Sequence, residues 1–184
     1  MDSVEGAGFV LSLAMVYCNI KEIHWGWPLA IASSILYGVV FWNTQLYGQV
    51  VLQVMFVLMA AWGWHQWLSH PAQKPLVVSS LQTKELRYVI AAGLFAWLAC
   101  GFVLTQFTDS QVPQWDALVT AMGLMAQYLL GRKKIENWWL WLWVNLLTMG
   151  LMAYQSLWLT TVLYGLFSGL SLVGLRAWRQ QHVK

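Results

Sequence analysis

Hydrophobic residues run along this chain in long blocks, separated by short polar stretches. Seven blocks stand out, at roughly 4–20, 25–42, 46–68, 88–107, 113–130, 138–154 and 157–175. A helix needs about 20 residues to cross the hydrocarbon core of a bilayer, with about 17 as the lower bound. Each block therefore predicts a membrane-spanning helix. The connectors around Asn43-Thr44-Gln45 and around Gln155-Ser156 are very short. Each predicts a tight reversal between antiparallel helices. The longest polar stretch, "SHPAQKPLVVSSLQTKELR" at 69–87, contains Pro71 and Pro75, which oppose a continuous helix. It divides the chain into three helices, one linking helix and three more.

Composition supports a lipid solvent. The 184 residues are 59% hydrophobic and only 9% charged, against about 25% charged in a typical soluble domain. Apolar area left in water is unfavourable by roughly 25 cal/mol per Å², and a soluble fold could not hide this much of it. The predicted fold class is all-α integral membrane, with seven transmembrane helices arranged as 3+1+3.

The charges then orient the helices. If the segments alternate, one side carries Lys21, the loop with Lys74, Lys84 and Arg87, the connector with Arg132, Lys133 and Lys134, and the tail with Arg176, Arg179 and Lys184. Those are all ten basic residues. Asp2, Glu5, Asp109 and Asp116 fall on the other side. The positive-inside rule places the N-terminus outside and the C-terminus in the cytoplasm. Six or eight helices would scramble this sorting. The basic residues form no helical face, so the net charge of +3 implies membrane topology and not nucleic acid. Cys18 and Cys100 lie in apolar stretches and read as small buried hydrophobes. The acidic N-terminus, "MDSVEGAGFV", does not resemble a signal peptide.

The chain also repeats itself. At an offset of 111 residues, Trp27 falls on Trp138, Leu29 on Leu140, Leu46 on Leu157, Val51 on Val162 and Leu52 on Leu163. Phe56 then falls on Phe167, Gly63 on Gly174 and Trp67 on Trp178. Shared Leu and Val are common in membrane helices. The aligned Gly-x-x-x-Trp endings, "GWHQW" and "GLRAW", are more specific. A 3+1+3 layout gives two parallel three-helix repeats, an architecture of transporters that hold substrate between halves near the midplane. The expected divisions are 1–69 for the first repeat, 70–111 for the loop and linking helix, and 112–184 for the second repeat and tail.

The stretch "IENWWLWLWVNLL" at 135–147 concentrates the candidate chemistry. On a helix, Trp138, Trp141 and Asn145 are spaced i, i+3, i+7 and share one face. Trp139 and Trp143 fall on another, and belt or packing roles account for them. Asn145 lies about 10 Å along the helix from Trp138, at about 1.5 Å per residue. An unpaired amide in hydrocarbon costs several kcal/mol. Either a neighbouring helix or a polar ring ligand must satisfy it. His24, His65, His70 and His182 sit in connectors or near helix ends, with no metal-ligand spacing. Glu136, beside Lys133 and Lys134, reads as a charge partner or helix-start residue. No catalytic set, metal site or cofactor is expected, and the chain is not expected to be an enzyme.

"ENWWLWLWVN" resembles the W-x-x-W-x-x-x-N signature of the PnuC family of bacterial vitamin transporters, carried here by Trp138, Trp141 and Asn145. "LYGQVVLQ" at 46–53 with "GWHQW" at 63–67 resembles that family's third helix, and the 3+1+3 layout is similar to its SWEET-like fold. The resemblance spans essentially the whole chain. It implies uptake of a B-vitamin or its nucleoside by facilitated diffusion across the bacterial inner membrane, nicotinamide riboside before thiamine. Cytoplasmic phosphorylation by a vitamin kinase would trap the product, and the carrier would be a homotrimer. Trp138 and Trp141 carry over as stacking groups and Asn145 as a hydrogen-bonding amide. Gln53, on the matching helix of the first repeat, and its symmetry mate Tyr164 are further substrate-binding candidates. Nicotinamide riboside carriers tend to have an Asn midway along the second helix, where this chain has Ser33 and Ser34, which keeps thiamine in contention. Both vitamins carry a fixed cationic aromatic ring, to which a desolvated Trp face contributes about 2 kcal/mol or more. A SWEET-like sugar carrier is a less favoured alternative, since a neutral sugar gains nothing from that attraction. The spans hold no carboxylate at mid-depth to couple an ion, so the expected mechanism is uniport.

Overall fold

In a computed structural model of the chain, residues 3–43, 47–69, 76–107, 112–154 and 158–182 are described. They form seven helices: α1 (Ser3–Ile20), α2 (Gly26–Asn43), α3 (Tyr47–Leu68), α4 (Thr83–Phe107), α5 (Pro113–Gly131), α6 (Asn137–Tyr154) and α7 (Trp158–His182). The two reversals at 44–46 and 155–157 lie outside the described residues, as do Asp2, His70, Pro71, Lys74, Pro75, Asp109 and Lys184. Each expected helix is present. Two are longer than the apolar blocks. α4 starts at Thr83 and not at 88, and α7 runs to His182 and not to 175. Hydropathy marks where lipid ends. A helix with Lys84, Glu85 and Arg87, or Arg176 and Arg179, continues past that point into water.

Packing divides the chain into two compact units, Met1–Val77 and Val78–Lys184. In the first, α2 packs on both α1 and α3. In the second, α4 packs on α5, α5 on α6 and α6 on α7. The outward side of α4 carries Tyr88, Phe95, Leu98, Phe102 and Phe107, all exposed. Water would oppose such a surface, whereas hydrocarbon matches it.

The repeat reappears bond for bond at the basic end of each unit. Glu22 (φ 55°) and Lys133 (φ 50°) are non-glycine residues in the left-handed region, and 133 − 22 = 111. The Ile23 N–H donates to Cys18 O at 2.8 Å and the Glu22 N–H to Asn19 O at 3.3 Å. The second unit matches with Lys134 N–H to Leu129 O at 2.9 Å and Lys133 N–H to Leu130 O at 3.0 Å. These are the two bonds of a Schellman cap, in which a left-handed residue closes the helix and satisfies its last carbonyls. α1 therefore ends as α5 does, and α2 begins as α6 does.

Each cap delivers a tryptophan to the same place. Trp27 lies against Gly63 and meets Trp67 edge-on, with centroids 5.5 Å apart at 86°. Trp138 lies against Gly174 and meets Trp178 edge-on, at 5.5 Å and 90°. A Cβ on Gly174 would stand 2.6 Å from the Trp138 ring, and one on Gly63 would strike Trp27. Glycine is required at both positions so that an indole can lie flat on the facing helix. The two Gly-x-x-x-Trp endings are thus one packing device used twice, which clasps α2 to α3 and α6 to α7.

The segment before α4 is tied to the α5–α6 turn. The Ser79 N–H donates to Lys133 O and the Ile135 N–H to Ser79 O, both at 3.0 Å. The Leu81 N–H donates to Glu136 Oε1 at 3.0 Å. Lys134 Nζ reaches Ser80 O at 3.2 Å and Glu85 Oε2 at 2.9 Å. Glu85 also accepts the Gln82 N–H at 3.0 Å, which caps the start of α4. Glu136 is thereby an acceptor for backbone, and Glu85 is the carboxylate that faces the connector's cations.

Candidate functional site

The four tryptophans of α6 separate by burial as their helical angles require. Trp138 is 3% exposed, whereas Trp139 and Trp143 are 41% and 54% exposed. The Arg179 guanidinium lies 5.8 Å from the centre of the Trp139 ring, within cation–π range. Trp141 is half-buried. Trp138 is engaged at the base of α6 by Gly174 and Trp178. Trp141 and Asn145 continue the same face upward.

Asn145 is 7% exposed, and its Nδ2 donates to Ser171 Oγ at 3.3 Å. Ser171 Oγ in turn donates to Phe167 O at 2.9 Å. The amide thus ties α6 to α7, which is the neighbouring-helix solution to the cost of burying it. One N–H is used in that bond. The second N–H and the carbonyl oxygen hold the remaining bonding capacity of the group.

Ser171, the partner of Asn145, belongs to a polar track on α7. Tyr164, Ser168 and Ser171 are spaced i, i+4, i+7 and share a face. Ser168 Oγ donates to Tyr164 O at 2.9 Å, and Tyr164 is half-buried against Phe167, ring centroids 6.1 Å apart. Ser168 and Ser171 were not anticipated as site residues. Their spacing from Tyr164 was the available signal, but serine in a membrane helix can bond its own backbone and so gives a weak one. Both serines do bond backbone here.

The remaining candidates lie in the first unit. Ser33 is buried, and Ser34 and Gln53 are half-buried. Ser34 and Gln53 share a cleft of about 420 Å³ between α2 and α3, where Gly38 and Val57 supply apolar wall. Ser33, one position away and about 100° around the helix, does not line it. A Cβ on Gly38 would come within 3.7 Å of Gln53, an ordinary van der Waals contact. The chain offset places Ser34 where the second unit has Asn145, and Gln53 where it has Tyr164. The two units share a clasp but differ in the polar groups above it.

A buried amide, a half-buried indole beside it, and hydroxyls along the facing helix can stack a flat ring and bond its polar edge. None of these groups titrates near neutral pH, so they suit binding and not acid–base chemistry. The sequence profile of a family described as nicotinamide mononucleotide transporter matches residues 2–180. The chain belongs to this family. It is 24% identical over 201 residues to the nicotinamide riboside transporter PnuC of Escherichia coli, covering 95% of this chain and 84% of that one. It is also 24% identical over 175 residues to the riboflavin/roseoflavin transporter RibM of Streptomyces davaonensis, covering 93% of this chain and 82% of that one. Its fold matches the crystal structure of a vitamin B3 transporter PnuC with a TM-score of 0.78, at 21% identity over 97% of this chain and 81% of that one. The fold is accordingly that of a seven-helix integral membrane transporter.

Proposed function

We propose that the chain takes up a B-vitamin nucleoside with a cationic aromatic ring, nicotinamide riboside, by facilitated diffusion. The observation that carries this reading is the pair Trp141 and Asn145, one above the other on the same face of α6. Trp141 stacks on the nicotinamide ring, and its electron-rich face attracts the ring's fixed charge. The carbonyl and second N–H of Asn145 bond the carboxamide edge, while its bond to Ser171 holds the amide in place. Trp138 supports the site from below, by fixing the α6–α7 spacing through Gly174. Tyr164, on the α7 face that also carries Ser171, supplies a polar contact to the ribose, and Gln53, Ser33 and Ser34 are the proposed substrate-binding groups of the first unit. The names of the Escherichia coli relative and of the matched crystal structure favour this substrate.

Thiamine is the second reading, favoured by Ser33 and Ser34 in place of an amide on α2. The chain sits in the bacterial inner membrane with its N-terminus outside and its basic end in the cytoplasm. A cytoplasmic kinase phosphorylates the vitamin and traps it, and the working form is a homotrimer. Purified protein titrated with nicotinamide riboside, thiamine and riboflavin decides the substrate, with Trp fluorescence as the readout. Nicotinamide riboside is expected to bind most tightly. Asn145→Leu is expected to weaken it at least about tenfold, the factor for losing a buried hydrogen-bond partner worth about 1.4 kcal/mol. Tighter binding of thiamine would move the assignment to the second reading. Unaltered binding by the Leu variant would remove Asn145 from the site.

A further inference from the structure

A second cleft, of about 440 Å³, opens between α4 and α5. It lies wholly within the second unit and shares no lining residue with the α6–α7 face. Its floor is apolar, made by Ala92, Met125 and Leu129. The helices approach closely at this level: a Cβ on Gly93 would lie 3.5 Å from Met125. One end of the cleft is charged, with Glu85, Arg132 and Lys134 beside Tyr128. Lys134 is committed to Glu85 at 2.9 Å. Arg132 is held more loosely, 3.8 Å from Glu85 and 3.4 Å from the Tyr128 hydroxyl, with 44% of its side chain exposed. Two cations against one carboxylate leave the rim with one net positive charge. The α4 surface around the cleft is strongly apolar, with Tyr88 and Phe95 exposed.

We propose that this cleft is a binding site for an anionic phospholipid. A site that is apolar along its length and cationic at one end matches a molecule of the same polarity. The charged end lies where the chain leaves the hydrocarbon layer, at the depth of the headgroups. Arg132 takes the phosphate through its guanidinium fork, and the Tyr128 hydroxyl donates alongside it. Lys134 neutralises Glu85, which would otherwise repel the anion. An acyl chain lies on Ala92, Met125 and Leu129. A free phosphate would satisfy the cations but would leave that floor bare, so the lipid is the favoured occupant.

Native mass spectrometry of the purified full chain tests this, with phosphatidylglycerol and phosphatidylethanolamine of identical chains as probes. Phosphatidylglycerol is expected to be retained about fivefold more, the factor equivalent to about 1 kcal/mol for one basic residue at an anionic surface. Arg132→Gln should bring the two lipids level. Glu85→Gln should raise phosphatidylglycerol retention, because it removes the one acid among the described lining residues and releases Lys134. This second variant also decides the matter if Arg132→Gln fails to fold. Equal retention of the two lipids by the unaltered chain would overturn the proposal. So would undiminished preference in Arg132→Gln, or no gain in Glu85→Gln. Glycerol 3-phosphate competing as well as the whole lipid would show that the acyl chain contributes nothing, and would overturn it too.

Discussion

At the scale of the residue, Trp141 carries the energetic claim. In the proposed site it would recognise charge as well as shape, so both must be separated experimentally. Replacing Trp141 by Ala removes stacking and the cation–π attraction, together about 2 kcal/mol or more in a desolvated site. Affinity for nicotinamide riboside should fall about thirtyfold. The neutral 1,4-dihydro form of the vitamin has nearly the same outline but no fixed charge. It should bind the unaltered protein more weakly than the cation does, and that discrimination should vanish in Trp141→Ala. Equal losses for the two forms would mean that Trp141 recognises shape alone. The geometry of this candidate face was largely legible in the sequence. The angles of 138, 141 and 145 on a helix place them on one face, and burial of Trp138 and Asn145 follows that face. What the spacing could not give was the occupant of each side chain. Ser171 is 26 residues from Asn145, and a local pattern contains no term for a partner that only tertiary packing supplies.

At the scale of the element, the clasp between a tryptophan and a facing glycine decides how closely paired helices approach. Trp138 and Trp178 are both buried, at 3% and 0% exposure, so neither ring has room to withdraw. Gly174→Ala should therefore force the helices apart, and overpacking of this kind costs typically 1–3 kcal/mol. A melting curve of the purified protein measures the loss. Trp138→Leu in the same chain should recover part of it, because the smaller side chain vacates the space the new methyl needs. A Gly174→Ala protein as stable as the parent would show that the ring can move aside. The repeat signalled this element, since the two Gly-x-x-x-Trp endings align at offset 111. Its meaning was hidden, because a glycine announces free space but not the ring that fills it. The caps were hidden more deeply. Glu22 and Lys133 occupy left-handed positions that usually take glycine, and nothing in their side chains announces it. The ends of α4 and α7 were misplaced for a further reason. Hydropathy locates the edge of the lipid, while hydrogen bonds and caps locate the end of a helix.

At the scale of the whole molecule, the polar groups available inside the bilayer bear on the proposed uniport. Among the described residues, the buried polar ones are Asn19, Ser33, Gln127, Asn137, Asn145, Ser168 and Ser171. These amides and hydroxyls do not change charge near neutral pH. A proton-coupled carrier needs a group that is charged in one state and neutral in the other, and a sodium-coupled one needs several converging oxygens, often with a carboxylate. A cationic substrate could in addition be drawn inward by the membrane potential, at about 2.3 kcal/mol per charge per 100 mV. That would concentrate the vitamin without any coupling ion. Transport should therefore respond to voltage and not to ion gradients. Proteoliposomes loaded with buffer alone should equilibrate labelled nicotinamide riboside at zero potential, with equal concentrations inside and out. A potassium diffusion potential, negative inside, should raise the internal concentration, about tenfold for 60 mV since about 1.4 kcal/mol corresponds to tenfold. Imposed H⁺ or Na⁺ gradients at clamped potential should change neither rate nor end point. Accumulation above equilibrium driven by either gradient, with the potential held at zero, would establish coupling and end the uniport reading.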